Sequence, residues 1–258
     1  MKIRILNDLF VRHNELNDSR QSIWFLHGFG DSGLVYKEVF DSVLNHNFNL
    51  YVVDLPGFGV SPLNPDFLSI SQQAELLSRI ISIETHNQGK VNLVAHSLGA
   101  LIGTWICQAL DTRIHYFFNI EGNLTEADSY FSSKPLEFTS ATEFVASFEK
   151  EIFERAKSID VYKQYYCSLR FASPEGMRNW SLTSQAFVKG NRCGHDFKNL
   201  LCKKVYIWGD VDTSEDTQYF LDTHAIPSRL YVGVGHWHMV ENAFELYRDM
   251  NDIIISSE

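Results

Sequence analysis

Apolar residues along the chain fall into short continuous runs, separated by longer segments with helical periodicity. Such runs are typical of parallel strands that are buried on both faces of a sheet. They predict strands over residues 23–26, 50–53, 91–95, 116–120, 205–208 and 229–232. Apolar residues at helical spacing predict helices over 34–44, 70–81 and 244–254. Because strands alternate with helices, the pattern indicates an α/β fold with a mostly parallel, doubly wound sheet.

The alternation stops between residues 124 and 199, where helical patterns follow one another without a strand-like run. Ser140 and Glu143 have the spacing of a capping box before an apolar helical stripe, and Ser173-Pro174 is typical of a second helix start. Sheet-type runs resume at Val205. We therefore expect a core built from 1–123 and 200–258, with 124–199 inserted as a helical cap.

Composition narrows the class of partner. The 258 residues are 45% hydrophobic and carry a formal net charge of -10. The hydrophobic content is enough for a large core, and the acidic balance argues against nucleic acid or an anionic membrane surface. A small-molecule partner is the better expectation.

The four cysteines include no Cys-x-x-Cys pair, and residues 1–10 lack the continuous apolar segment of a signal peptide. Free thiols and a cytoplasmic location are therefore expected. Residues 91–110 contain no Asp, Glu, Lys or Arg over the length of a membrane span. The polar residues Asn92, His96 and Ser97 within them favour a buried strand, turn and helix, so we expect no membrane span.

The segment 91–100 carries the main chemical signal. An apolar strand ends at Ser97, which has the small residues Ala95 and Gly99 two positions away on either side, and a helix pattern begins at once. A sharp strand-to-helix turn holds such a serine in strained geometry, and neighbouring backbone approaches too closely for large side chains at 95 and 99. The hydroxyl needs a histidine base and an orienting carboxylate to become a nucleophile.

With these residues the sequence resembles the α/β-hydrolase superfamily, whose nucleophile elbow is Gly-x-Ser-x-Gly. Ala95 replaces the first glycine. The resemblance rests on five blocks in the order of the superfamily, which are 27–30 (HGFG), 54–61 (DLPGFGVS), the elbow, 208–212 (WGDVD) and 235–242 (GHWHMVEN). It covers most of the chain apart from the insertion, and it implies an α/β-hydrolase fold.

The resemblance also implies the site residues. By motif position, Ser97 is the nucleophile, Asp212 the acid and His236 the base. Asp210 on the same loop is an alternative acid, and Glu121 is another, since some members carry the acid after the strand that ends at Ile120.

The backbone N–H groups of Phe29 and Leu98 correspond to the oxyanion donors. No cofactor and no metal are implied.

Other candidate residues fit structural roles better. His236 and His238 form a His-x-His pair, but no cluster with metal-ligand spacing accompanies it. His96 and His195 are interpreted as structural or solvent-facing, and Ser61 as a loop residue that closes a turn near the site. The glycine-rich turns do not match a dinucleotide-binding motif.

The sequence thus predicts a serine hydrolase that cleaves a small, largely apolar ester or related acyl compound through an acyl-enzyme. Two alternatives on the same scaffold stay open: hydrolysis of a carbon–carbon bond in a diketone, and cofactor-free perhydrolysis. A third is a small-molecule receptor with little turnover, because some receptors of the superfamily keep the triad.

Overall fold

The computed structural model describes residues 1–86 and 89–256. They form an eight-stranded sheet with the order β1-β2-β4-β3-β5-β6-β7-β8. The strands are β1 (Lys2–Leu6), β2 (Leu9–His13), β3 (Ser22–Leu26), β4 (Asn49–Val53), β5 (Val91–His96), β6 (Ile114–Ile120), β7 (Lys203–Gly209) and β8 (Ser228–Tyr231). From β4 to β8 across the sheet, all neighbours pair in parallel. The α/β fold and all six predicted strands are confirmed.

The N-terminal hairpin was not predicted. β1 pairs antiparallel with β2, and β2 pairs antiparallel with β4. Asn7 and Asp8 form the connection with φ angles of 47° and 67°. A two-residue turn with positive φ at both positions matches the right-handed twist of the two strands, and Asn and Asp tolerate it better than most residues. The hairpin makes one edge of the sheet antiparallel.

The α-helices are α1 (Leu44–Asn47), α2 (Ile70–Glu84), α3 (Gly99–Leu110), α4 (Ala141–Ala156), α5 (Asp160–Leu169), α6 (Pro174–Val188), α7 (Arg192–Lys198), α8 (Glu215–Thr223), α9 (His238–Glu241) and α10 (Ala243–Ile255). Short 3-10 helices cover Gly33–Asp41, Pro65–Phe67, Asp111–Arg113, Glu126–Ser129, Lys134–Glu137 and Lys189–Asn191. The single helix predicted over 34–44 is thus replaced by a 3-10 helix and the one-turn helix α1.

Residues 91–110 form β5 and α3, and most of their side chains are buried in the core. Among the helices in residues 1–86 and 89–256, none combines the length and the apolar character needed to cross a bilayer.

The helical segment 124–199, which runs between β6 and β7, contacts the loops at the carboxyl ends of β3 and β4. The Tyr165 hydroxyl donates to the Phe29 carbonyl at 2.9 Å, and the Ser173 amide donates to the Gly57 carbonyl at 2.7 Å. The hydroxyls of Ser32 and Ser168 lie 3.0 Å apart. Ligands in open α/β sheets bind at the carboxyl ends of the strands, so this segment lies where a ligand site is expected.

The N-terminal caps of α4 and α6 in this segment lie largely where the sequence predicts them. Ser140 Oγ accepts from the Glu143 amide at 3.1 Å, which caps α4. The Glu143 carboxylate does not complete the capping box, because it accepts from the Thr139 hydroxyl at 2.8 Å. Ser173 caps α6, with Pro174 in its first turn.

A buried ion pair fixes the loop after β4. Arg12 on β2 donates to Asp54 through Nη1 at 2.6 Å and Nη2 at 3.2 Å, and both side chains are almost fully buried. The same carboxylate accepts from the amides of Gly33 at 2.7 Å and Val60 at 3.0 Å. A buried charge needs such a full set of partners. Asp54 thereby holds together three chain segments beside the carboxyl end of the sheet.

Candidate active site

Ser97 lies on the turn between β5 and α3 and has a φ angle of 52°. Its amide donates to the Ile120 carbonyl at 2.9 Å, which ties the turn to the end of β6. A side chain on Gly99 would overlap the His27 carbonyl oxygen, so the backbone approach expected at position 99 is present. The turn therefore has the strained geometry that the sequence predicts, and it holds Ser97 at the carboxyl edge of the sheet.

A cavity of about 210 Å³ opens above this turn. It brings together Ser97, His236, Asp212 and Glu121, which come from the loops after four different strands. Aromatic side chains form much of the remaining wall: Phe29, Tyr130, Phe131, Tyr162, Tyr165 and Trp237. The predicted serine, histidine and acid thus lie in the same cavity.

His236 is positioned through its backbone. Its amide donates to Asp212 Oδ2 at 2.9 Å, and its carbonyl accepts from His96 Nε2 at 3.0 Å. The rings of His96 and His236 are 4.6 Å apart. Within the described chain, the Ser97 hydroxyl and the His236 ring do not form a hydrogen bond with each other. Catalytic hydrogen bonds often close only when substrate is bound, so the lack of a bond between these two groups is compatible with His236 as the base for Ser97.

Burial favours the neutral form of the His236 ring. Burial lowers its pKa below the ordinary value, and the carboxylates of Glu121 and Asp212 oppose that shift. Burial also lowers the pKa of His96 well below its ordinary value, so this ring is neutral and its Nε2–H donates to the His236 carbonyl. A neutral imidazole can accept a proton at neutral pH, as a general base must.

Glu121 joins the loops around His236. Its carboxylate accepts from the Gly209 amide at 2.7 Å and from the Thr213 hydroxyl at 2.7 and 2.9 Å, and it lies 3.4 Å from His238 Nε2. Burial raises the pKa of Glu121 to about 7, although the nearby His236 acts against the shift. This carboxyl group therefore contacts the loops that carry both Asp212 and His236.

The other acid candidate has a different position. Asp210 is exposed, and its carboxylate accepts from the Gly233 amide at 2.6 Å. It does not belong to the cavity lining, whereas Asp212 and Glu121 do.

Phe29 and Leu98 are buried and line the cavity beside Ser97. Neither backbone amide has a hydrogen-bond acceptor among residues 1–86 and 89–256. Buried amides without an acceptor are rare in native proteins. Two of them at one cavity wall are therefore available to a ligand oxygen.

The remaining sequence candidates lie in structural positions. Ser61 donates to the Asp54 carbonyl at 2.6 Å and accepts from the Phe10 amide at 2.8 Å, which closes the loop after β4. His195 on α7 packs against Phe220 and lies outside the cavity lining. His96 donates to the His236 carbonyl and belongs to the cavity lining.

Sequence reasoning missed three charged residues of the cavity lining, which are Asp31, Asp128 and Arg155. Asp31 follows the HGFG block directly, and Arg155 comes from α4. Arg155 donates to the Tyr162 hydroxyl at 3.0 Å and to Glu151 at 2.8 Å. The position of Asp31 beside a recognised block was the only available signal for it, and nothing around Arg155 in the sequence marks it.

Comparison with known proteins finds a family model that matches just under half of the chain. Residues 21–145 match the family model of the alpha/beta hydrolase fold. This match and the whole-chain structural likeness reported below support the α/β-hydrolase superfamily, and together they show the α/β-hydrolase fold. The matched region includes the first buried strand and its loop, the nucleophile turn and the strand that ends at Ile120.

Individual known proteins match part or nearly all of the chain. The pimeloyl-[acyl-carrier protein] methyl ester esterase of Aeromonas salmonicida is 27% identical over 138 residues, which are 52% of this chain and 51% of the relative. The probable lysophospholipase BODYGUARD 4 of Arabidopsis thaliana is 29% identical over 100 residues, which are 38% of this chain and 24% of the relative. The chain thus spans about half or less of these curated relatives.

A thermophilic esterase from Thermogutta terrifontis superimposes on nearly the whole chain. Its TM-score is 0.78 at 17% identity, with 96% of this chain and 93% of the esterase covered. At this identity the likeness shows the α/β-hydrolase fold.

Proposed function

We propose that the chain is a serine hydrolase that cleaves a small ester or related acyl compound through an acyl-enzyme. The observation that carries the proposal is the convergence of four groups on one cavity. They are the strained Ser97, the neutral His236, the carboxylate of Asp212 and the two unbonded amides of Phe29 and Leu98. Together they provide a nucleophile, a base with its acid, and donors for a developing oxyanion.

In the proposed reaction, His236 removes the Ser97 proton while the serine oxygen attacks the acyl carbon. The Phe29 and Leu98 amides stabilise the oxyanion of the tetrahedral intermediate. The protonated imidazole then gives its proton to the leaving oxygen, and the acyl group stays on Ser97. Water repeats the attack, with His236 taking one of its protons and returning a proton to Ser97 as the acid product leaves.

Asp212 is the proposed acid. The bond from the His236 amide to its carboxylate holds the histidine loop beside this acid. In the proposed reaction the His236 Nδ1–H donates to the same carboxylate. Its negative charge favours the imidazolium that forms during attack. Glu121 is the remaining rival, because its carboxyl group also acts on the pKa of His236.

The cavity supports a small acyl substrate. Its volume of about 210 Å³ is below the range of most drug-sized ligand pockets, and aromatic rings form much of its wall. Both features favour short, compact acyl groups over long chains. The esterase names of the relative from Aeromonas salmonicida and of the neighbour from Thermogutta terrifontis support ester cleavage.

The decisive experiment compares wild type, Ser97→Ala and the control Ser82→Ala on p-nitrophenyl esters of increasing acyl length. We expect short esters to be preferred, and Ser97→Ala to lose at least about a thousandfold in kcat with an unchanged melting temperature. Ser82 lies on α2, outside the cavity lining, so its variant should match wild type. A fluorophosphonate probe should label wild type and Ser82→Ala, but not Ser97→Ala.

The same panel separates the alternatives. Faster turnover of a diketone than of any ester would instead support carbon–carbon bond hydrolysis. Formation of a peracid from a carboxylic acid and hydrogen peroxide would support perhydrolysis. Tight ligand binding without a burst or turnover would support a receptor. Retained esterase activity in Ser97→Ala would overturn the proposed nucleophile.

A further inference from the structure

Asp31 closes the turn that contains the proposed oxyanion donor Phe29. Its amide donates to the Gly28 carbonyl at 3.3 Å, so residues 28–31 form a turn around Phe29. Gly30 at the third position of this turn has a φ angle of 68°, which glycine adopts without strain. The position of Asp31 is therefore coupled directly to the direction of the Phe29 amide.

The Asp31 side chain joins three separate segments of the chain. It is 1% exposed, and its carboxylate accepts from the Ser32 amide at 2.8 Å and from Trp237 Nε1 at 3.3 Å. The Ser168 hydroxyl of α5 also interacts with this carboxyl group and lowers its pKa. Trp237 directly follows His236. The oxyanion turn, the helical segment and the histidine loop thus meet at one carboxyl group.

Aromatic packing surrounds this junction. The Trp237 ring lies 5.1 Å from the Tyr165 ring and 5.4 Å from the Tyr162 ring, both on α5. The Tyr165 hydroxyl in turn donates to the Phe29 carbonyl. Rotation of the Trp237 indole would therefore disturb contacts on both sides of the cavity, and the bond from Nε1 to Asp31 opposes that rotation.

A carboxyl group at this place is costly for the fold. Burial raises the pKa of Asp31 to about 7, and the charge of Asp54 adds to the shift, while the bonds from Ser32, Ser168 and Trp237 act against it. An apolar side chain would avoid the desolvation penalty. Buried groups with strongly shifted pKa values concentrate at functional sites. The contacts of Asp31 indicate that this function is to hold the neighbouring segments in position.

We propose that Asp31 is a positioning residue that holds the Trp237 indole, and with it the His236 loop, in register with the oxyanion turn. This inference rests on the proposed function of Ser97 and His236. Asp31 acts through Trp237 and through the turn, so its loss should lower kcat and leave the KM of a small ester nearly unchanged. Removal of the indole N–H should have the same effect as removal of the carboxyl group.

The test is a double-mutant cycle of Asp31→Ala and Trp237→Phe, measured with p-nitrophenyl acetate. We expect each variant to lose about tenfold in kcat with KM changed by less than about threefold, and the double variant to lose no more than either single one. Asp31→Asn keeps an acceptor for the indole and should restore kcat to within about threefold of wild type. Trp208→Phe is the control, because the buried Trp208 N–H has no acceptor in the described chain.

A second measurement does not depend on activity. In ¹⁵N-labelled protein, the Nε1–H resonance of Trp237, assigned by its absence in Trp237→Phe, should shift in Asp31→Ala. An unshifted resonance overturns the contact. If Asp31→Ala does not fold, Trp237→Phe and Asp31→Asn still decide the matter, since a Trp237→Phe variant as active as Trp208→Phe refutes the positioning role.

The positioning role of Asp31 is also refuted if the double variant loses the product of the two single losses in kcat, or if the substitutions change only KM. If wild type hydrolyses esters and is labelled by the probe while the variants give any of these results, the proposed function stands and only the role of Asp31 is overturned. A wild type that neither hydrolyses esters nor reacts with the fluorophosphonate probe overturns both.

Discussion

Substitution of Gly99 by alanine should damage both stability and turnover. A Cβ at this position would overlap the His27 carbonyl oxygen and lie 3.1 Å from the carbonyl carbon. Both atoms belong to backbone between β3 and the oxyanion turn, so no flexible side chain can move aside. Overpacking of this kind typically costs 1–3 kcal/mol, and we expect about 3 kcal/mol because backbone must shift. For a chain of this size that loss corresponds to a fall of about 6–12 °C in Tm.

The effect on rate follows from the same displacement. Relief of the overlap moves the His27 carbonyl, and the Phe29 amide two residues later, by about 1 Å, and a misplacement of that size can cost about a hundredfold in kcat. Thermal unfolding and p-nitrophenyl acetate turnover measure the two effects. Gly89→Ala is the matched control, because a Cβ there meets nothing within 4 Å and its φ is ordinary. If Gly99→Ala and Gly89→Ala behave alike in both assays, the close-approach argument is wrong.

Three further predictions concern buried or paired carboxyl groups. The pKa of Asp31 is raised to about 7 in the folded state, so between about pH 4 and 7 the carboxyl group is ionised in the unfolded chain and still protonated in the folded one. The free energy of unfolding therefore falls as pH rises through this interval. Asp31→Asn should therefore gain stability relative to wild type over that interval by a few kcal/mol in urea titrations, and a pH-independent difference would contradict this. Asp54→Ala leaves Arg12 buried without its partner and should cost about 3–5 kcal/mol, whereas Asp54→Leu combined with Arg12→Met should recover much of the loss in the same titration. Asp212→Asn should lower kcat by about 10⁴ and Glu121→Gln by far less; the reverse ranking would assign the acid to Glu121.

The strands were predictable because the sheet buries them on both faces. Continuous apolar runs such as 23–26 have few other uses in a chain of this composition. The edge strand β1 lacks that signal, since Ile3 and Ile5 are exposed and charged residues alternate with them. Its pairing depends on the turn at Asn7 and Asp8, which sequence periodicity alone did not reveal.

The site was predictable only where a motif fixes a residue beside a strand end. Ser97, His236 and Asp212 follow strands in the expected order, and the cavity contains all three. Asp31 and Arg155 could not be found in this way, because their contacts come from distant parts of the chain. Asp31 and Trp237, for example, are 206 residues apart in sequence. The loops after β3 and β8 meet only in the folded chain, and their contact brings this pair together.

Anchoring of the helical segment limits how small molecules enter and leave the cavity. The bonds from Tyr165 to Phe29 and from Ser173 to Gly57 hold it to the core at separate points, so a swing of the whole segment would break several contacts at once. Tyr130, which lines the cavity and is 59% exposed, can rotate without that penalty. Entry of substrate and release of product then depend on the motion of single side chains at the cavity mouth. For acyl groups that nearly fill the available volume, we expect escape of the product to be slower than bond cleavage.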